Sequence, residues 1–199
     1  MTKQRCIACE YLLEGFQAVM LSGVVLFGTV VAGLAATVPT ATPQTPYQGL
    51  FRSPTRVAQD TNGNLYVTDS RAGWVVKLNT NGTPVATNTV LNKPLAVAVG
   101  NQGLVYVGEE GVGRVQVFNT ALTNVLYSLG GGSNEFQLPN HIAVDTAVSN
   151  GWIYVSDSRA NQIRCYTNAA LVKTFGGKGA GNGQFDFPAG VYVLSLIHI

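Results

Sequence analysis

Residues 153–167 read IYVSDSRANQIRCYT, and two other stretches align with them without a gap: LYVTDSRAGWVVKLN at 65–79 and VYVGEEGVGRVQVFN at 105–119. The shared frame is an apolar residue, Tyr, Val, a small residue and an acid, followed after a turn by a second alternating run. A period of two marks a strand whose two faces meet different surroundings. The later run shows it, with Val75 and Lys77 set against Val76 and Leu78, and Ile163 and Cys165 set against Arg164 and Tyr166. Tyr66, Tyr106 and Tyr154 recur at a spacing of about 40–50 residues, the length of one repeating unit.

A second frame precedes each of these and appears once more near the end: PTRVAQD at 54–60, PLAVAVG at 94–100, PNHIAVD at 139–145 and PAGVYV at 188–193. A short, almost wholly apolar strand is expected where both faces are covered, as in the innermost strand of a stacked sheet. The second strand ends in Thr68, Asp69 and Ser70, or Ser156, Asp157 and Ser158, residue types that bond their own backbone in turns. Several short strands per unit, with Gly-rich and Asn-rich turns between them, are the signature of a propeller blade.

The third unit carries the most specific likeness. IYVSDSRANQIRCY, followed by LVKTFGGKGAGNGQFDFPAGVYV at 171–193, resembles the NHL repeat, whose pattern is a YV-x-D-S strand end and an FG-x-x-G-x-G-x-x-F loop leading into P-x-G-[IV]-A-V. The second unit departs at Gly108, Glu109 and Glu110: Glu109 takes the place of the Asp and the Ser is lost, so this turn is expected to be held differently. The resemblance covers 51–193. It implies an all-β, NHL-type β-propeller, of which about three four-stranded blades and the first strand of a fourth are visible, preceded by one N-terminal apolar helix. Such a ring commonly has about six blades and so needs roughly 240 residues at about 40 per blade.

The bulk composition narrows the class. The 199 residues are 46% hydrophobic and only 11% charged, which excludes a disordered chain, and the net charge of +2 leaves no footprint of a nucleic-acid binder. Residues 1–15, with Lys3 and Arg5, read as a short cytoplasmic n-region. Residues 16–36 run FQAVMLSGVVLFGTVVAGLAA without a charge, long enough as a helix at about 1.5 Å per residue to cross a bilayer core of roughly 30 Å. No basic residue follows until Arg52, so positive-inside logic places everything after residue 36 outside the cytoplasm.

Small residues at Gly33, Ala35 and Ala36 suit a cleaved signal peptide, while the length of the run suits an uncleaved transmembrane anchor; both readings stay open. The expected location is secreted, periplasmic or membrane-anchored. Residues 37–50 form a Thr/Pro-rich linker. Cys6 and Cys9 make a lone C-x-x-C with no second ligand pair for zinc, and Cys165 reads as a small buried hydrophobe. At the other end, 194–199 reads LSLIHI, which is what CTG-TCT-CTT-ATA-CAC-ATC encodes. That resembles the end of a transposase-based sequencing adapter read as protein, from which the natural frame is expected to continue past Val193; the alternative is a real terminal strand.

Little chemistry stands out. The third residue of each P-x-x-[VI] frame, namely Arg56, Ala96, His141 and Gly190, is expected where inner strands open onto the central channel. Arg56 and His141 are therefore the candidate ligand-binding pair at the channel mouth. His141 is the only histidine outside the tail, so no His-rich metal site can be assembled. Asp69, Glu109 and Asp157 recur once per unit and read as structural turn residues. Arg71 and Arg159 form a candidate rim; the resemblance implies RNA binding through such a rim in some members, against which the balanced charge argues.

The run KGAGNG at 178–183 lacks the G-K-[ST] ending of a phosphate loop. No catalytic constellation, metal site or cofactor is visible. The expected role is an extracytoplasmic binding or interaction module for a protein, glycan or small ligand. The alternative is a propeller enzyme, of lyase or lactonase type, whose metal and catalytic residues lie mostly in further blades.

Overall fold

The computed structural model describes residues 49–100, 102–132, 134–146 and 151–194. The n-region at 1–15, the apolar run at 16–36, the linker up to residue 48, and residues 195–199 lie outside the described residues. So do Cys6 and Cys9.

Three four-stranded antiparallel sheets follow one another along the chain, each ordered as its strands occur in sequence. The first blade is β1 (Pro54–Gln59), β2 (Leu65–Asp69), β3 (Trp74–Leu78) and β4 (Pro84–Asn88). The second is β5 (Pro94–Val99), β6 (Val105–Glu109), β7 (Arg114–Phe118) and β8 (Val125–Ser128). The third is β9 (Pro139–Val144), β10 (Ile153–Asp157), β11 (Gln162–Thr167) and β12 (Ala170–Gly176). The P-x-x-[VI] frame is thus the first strand of each blade, and β1, β5 and β9 succeed one another as neighbours. This is the blade architecture of a β-propeller.

Alternation sorts the side chains between blades. Tyr66 and Val75 leave the first blade to meet Val97, Val105, Val107 and Phe118 of the second, with Leu91 and Leu122 filling the joint. One residue out of step, Ala96, Tyr106, Val115 and Val117 leave the other face of the second blade and meet Ile142, Ile153, Val155 and Tyr166 of the third. Every residue of β6 is buried because both its faces are covered. Fully burying a side chain of this size contributes roughly 1.5–3 kcal/mol, so these two joints hold the described part together. Tyr154 occupies the same place in its frame, but no described blade covers its face, and it is only half-buried.

The small residue before each acid is small for a reason of space. In the first blade Thr68 lies on the joint with the second, where Thr55 Oγ1 donates to the Pro94 carbonyl at 3.1 Å and meets Thr68 Oγ1 at 3.0 Å. In the second blade the position is Gly108, where an added Cβ would sit 2.8 Å from the Pro139 carbonyl oxygen and 3.1 Å from the Ala96 Cβ. In the third, Ser156 Oγ donates to the Pro188 carbonyl, joined there by Ser158 Oγ at 2.7 Å. Pro139 and Pro188 thus rest their carbonyls on the small residue of the blade before, while the Pro94 carbonyl takes the Thr55 hydroxyl beside Thr68.

Residues 188–193 differ from the sequence reading, which places the first strand of a fourth blade there: they form no strand. An inner strand takes its ladder bonds from the second strand of its own sheet, as β9 does from β10. No described strand follows Pro188 to provide them. The segment is docked at its proline but carries no ladder.

Gly108→Ser should overpack the joint between the second and third blades and cost about 1–3 kcal/mol. Thr68→Ser, which keeps the hydroxyl, should cost less. Chemical denaturation of the two variants checks this, and an unchanged midpoint for Gly108→Ser would contradict the close approach of Pro139.

Candidate functional site

The β2–β3 turns and the starts of the inner strands lie on one side of the blades, since Pro54 pairs with Asp69, Pro94 with Glu109 and Pro139 with Asp157. The recurring acids sit at this side, all fully buried. Asp69 accepts backbone N–H groups from Arg52, Ser53 (2.9 Å), Arg71 (3.1 Å) and Ala72 (2.8 Å). Asp157 accepts those of Gln137 (3.1 Å) and Leu138 (2.8 Å). In each case the bonded amides include those of the two residues just before the proline, so the acid fastens the chain as it enters its own blade.

Glu109 performs the same service for the Asn92 N–H at 2.8 Å, and its longer side chain also pairs with Arg114, through Nε and through Nη2 at 3.3 Å. That pair replaces part of what a turn Ser and Asp provide in the other units. Four residues after each acid the backbone is left-handed, at Gly73 (φ 74°), Gly113 (φ 57°) and Asn161 (φ 57°), where Gly or Asn is favoured.

The two candidate rim arginines are placed differently from each other. Arg71 is exposed, and what it gives to the turn is its N–H. Arg159 reaches back to the Gln137 carbonyl at 3.3 Å and to Glu110 Oε1 at 3.4 Å, tying the third blade to the turn of the second. The latter is an exposed pair of small energetic weight.

Arg56 and His141 are brought together. Both line a cavity of about 430 Å³, with Pro54, Thr55, Val57, Val67 and Tyr192 completing its wall. By register the third position of the frame points toward the next blade: Ala96, its equivalent in the second blade, is wholly buried in the joint with the third. Arg56 and His141 are long enough to reach the cavity from there. Arg56 Nε and His141 Nδ1 are buried with no hydrogen-bond partner. Burial holds the imidazole below its ordinary value of 6.5, the charge of Arg56 lowers it further, and a backbone bond at Val191 opposes the shift only in part.

Tyr192 stacks at a tilt on His141, their ring centroids 5.0 Å apart. Its part in the cavity was not legible in the sequence, where it is one more alternating residue in PAGVYV. The same holds for Val57 and Val67, which look like ordinary strand residues. Among the described residues no group of three or more His, Cys, Asp or Glu side chains is placed to hold a metal ion. Cys165 is buried and unbonded to any other cysteine.

Blades of this build and order define a β-propeller repeat protein. The family described as "NHL repeat" matches residues 51–78 and 91–118, the inner three strands of the first two blades with the segments leading into them. No curated protein matches the sequence. Among solved structures the chain is similar to the nidogen/laminin complex, with 20% identity, a TM-score of 0.60, and coverage of 77% of this chain and 57% of that one. It is also similar to hydrazine synthase of Kuenenia stuttgartiensis, with 15% identity, a TM-score of 0.56, and coverage of 74% and 42%. A third is a catalytically inactive virginiamycin B lyase from Staphylococcus aureus with quinupristin, with 15% identity, a TM-score of 0.52, and coverage of 73% and 45%. The likeness is one of fold, and the chain spans about half the length of the structures it matches.

The buried acids make acid stability a test of the clamp. Burial raises the pKa of Asp69, but the N–H bonds from Ala72, Ser53, Arg52 and Arg71 outweigh it and hold the carboxyl below its ordinary 3.8. Asp60 is likewise lowered: burial raises it, and the Asn64 side chain and the backbones of Asn64 and Asn62 more than compensate. The unfolded chain then binds protons more readily than the folded one. Stability from these groups is complete above the ordinary value and is lost as pH falls through 3.8 and below. Asp69→Asn should lower stability at neutral pH by about 1–3 kcal/mol and flatten the acid limb of a melting-temperature profile. A profile that keeps its acid limb unchanged would contradict this role.

Proposed function

We propose that the chain is part of an extracytoplasmic NHL-repeat propeller that works as a binding module, receiving a small ligand on the side where the inner strands begin. The observation that carries this reading is the cavity between β1, β9 and Tyr192, whose size is in the range of small-molecule sites and whose wall includes the polar Arg56 and His141 beside apolar side chains. The recurring carboxylates on the same side are already committed to backbone N–H groups, which supports recognition over acid–base chemistry at this place. The uncharged run at 16–36, with Lys3 and Arg5 before it, supports an external location for the blades. Among the described residues no helix is long and apolar enough to cross a membrane, and the run itself lies outside them.

A thermal-shift screen of small molecules and short glycans against the full chain in detergent micelles tests the proposal. A ligand present at about 100 times its Kd should stabilise the fold by about 2.7 kcal/mol. Val57→Trp, at a residue 61% exposed on the cavity wall, should remove that stabilisation without unfolding the protein. Ligands that bind the variant as well as the wild type would overturn the assignment. Chemical turnover of a bound compound would overturn the module reading in favour of a lyase-type enzyme.

A further inference from the structure

We infer that Asn182, in the exposed loop after β12, is a site of spontaneous modification, at which the side-chain amide is lost and an aspartyl or isoaspartyl residue takes its place. Four Asn–Gly pairs occur in the chain, at 62–63, 81–82, 150–151 and 182–183. The asparagine of the third lies outside the described residues. Such a pair is open to attack on itself, because glycine carries no side chain to shield its backbone nitrogen. That nitrogen gives up its proton to solvent base and bonds to the asparagine Cγ. The bond from Cγ to the side-chain nitrogen breaks, and ammonia leaves. Water then opens the resulting succinimide ring at one of its two carbonyls. Nothing is oxidised or reduced, and water is the only co-reactant.

The place of the glycine within its turn separates the pairs. Asn62, Asn81 and Asn182 are all exposed, so access to the side chain does not distinguish them. In the first blade each glycine closes a turn: the Gly63 N–H donates to the Asp60 carbonyl at 3.0 Å and the Gly82 N–H to the Asn79 carbonyl at 2.8 Å. A side chain fastens each turn further. Asp60 Oδ1 accepts the N–H groups of Asn62 and Asn64, and Asn79 Oδ1 accepts those of Asn81 and Thr83. The turn at 181–184 is closed instead by the Gln184 N–H on the Gly181 carbonyl at 3.0 Å. Asn182 and Gly183 are its two central residues, and among the described residues the Gly183 N–H has no partner. An atom added at Gly183 would meet nothing within 4 Å, which leaves room for the ring to form.

The length of the loop explains the free N–H. Counted back from the proline, Gly183 corresponds to Asn134 of the second unit, and both are left-handed, at φ 77° and 64°. There the loop is shorter and lies on the turn of its own blade, with the Asn134 N–H on the Val112 carbonyl at 2.9 Å and the Phe136 N–H on the Gly113 carbonyl at 2.9 Å. The longer third loop folds on itself, with the Phe185 N–H on the Gly177 carbonyl at 2.8 Å and the Gly179 N–H on the Phe185 carbonyl at 3.1 Å. Asn134 is exposed although the third blade follows it, so exposure at this place does not depend on an uncovered blade face. Reaction at Asn182 puts a carboxylate, and in the iso form one further backbone atom, into the turn that carries the chain toward Pro188.

Peptide mapping by mass spectrometry, after incubation of the folded full chain in detergent at mildly alkaline pH, tests the inference. The peptide holding Asn182 should gain the mass of an amide turned to acid, together with isoaspartate. It should do so about tenfold faster than the peptides holding Asn62 and Asn81, whose turns must open first. In concentrated urea the three should react at similar rates. Asn182→Gln should abolish the change in its own peptide, and Asn79→Ala, which removes the side-chain fastening of an exposed turn, should speed the reaction at Asn81. Equal rates at the three sites in the folded chain would overturn the inference. So would the same order of rates in urea as in the folded chain, since neighbouring residues rather than the turns would then set it. An unchanged rate at Asn81 in Asn79→Ala would overturn the closed turn as the source of protection.

Discussion

A buried carboxylate at the end of each blade's second strand bonds the backbone of the chain just before that blade's first strand. Asp69 does this for Arg52 and Ser53, Glu109 for Asn92, and Asp157 for Gln137 and Leu138. The segments leading into the blades run across the sheets and have no ladder to satisfy their N–H groups. A charged acceptor answers them more strongly than a neutral one and ties an irregular stretch to a regular one. Because the proline follows at once, the clamp also sets where its carbonyl rests on the blade before. The joint at Thr68, Gly108 or Ser156 and the apolar contacts on either side of β6 are then placed by the same bond.

The repeat made most of this legible. Alternation around Tyr66 and Tyr106 assigns one side chain set to each neighbouring blade, and the structure separates them into two clusters along those lines. The frame also marked the position before the acid as small. It did not say that the limit is a carbonyl of the next blade, because that carbonyl comes from Pro139, far along the chain from Gly108. The residues 188–193 show the opposite case. They carry the pattern of an inner strand, yet a strand is defined by its partner, and with none beside them among the described residues they stay irregular.

The site was legible only as two residues. Arg56 and His141 share one position in the frame, where the second blade has the small, apolar Ala96. Their meeting in one cavity depends on the packing of the first and third blades around the second, and on Tyr192 lying over His141. Nothing in a linear pattern encodes that return of the chain. The recurring acids show the converse: a residue repeated in every unit is bound to what recurs in every unit, here the backbone before the proline. The residues that differ at a repeated position are the ones free to give the protein its own chemistry.

Native-state amide exchange resolved to single residues tests the clamp most directly. Ser53 and Leu138 lie in irregular backbone, and their N–H groups are held by Asp69 and Asp157 at 2.9 Å and 2.8 Å. Both should exchange as slowly as the buried amides of β6, and each should become fast when its own aspartate is replaced by alanine. Exchange at the rate of exposed turn amides in the wild type would contradict it.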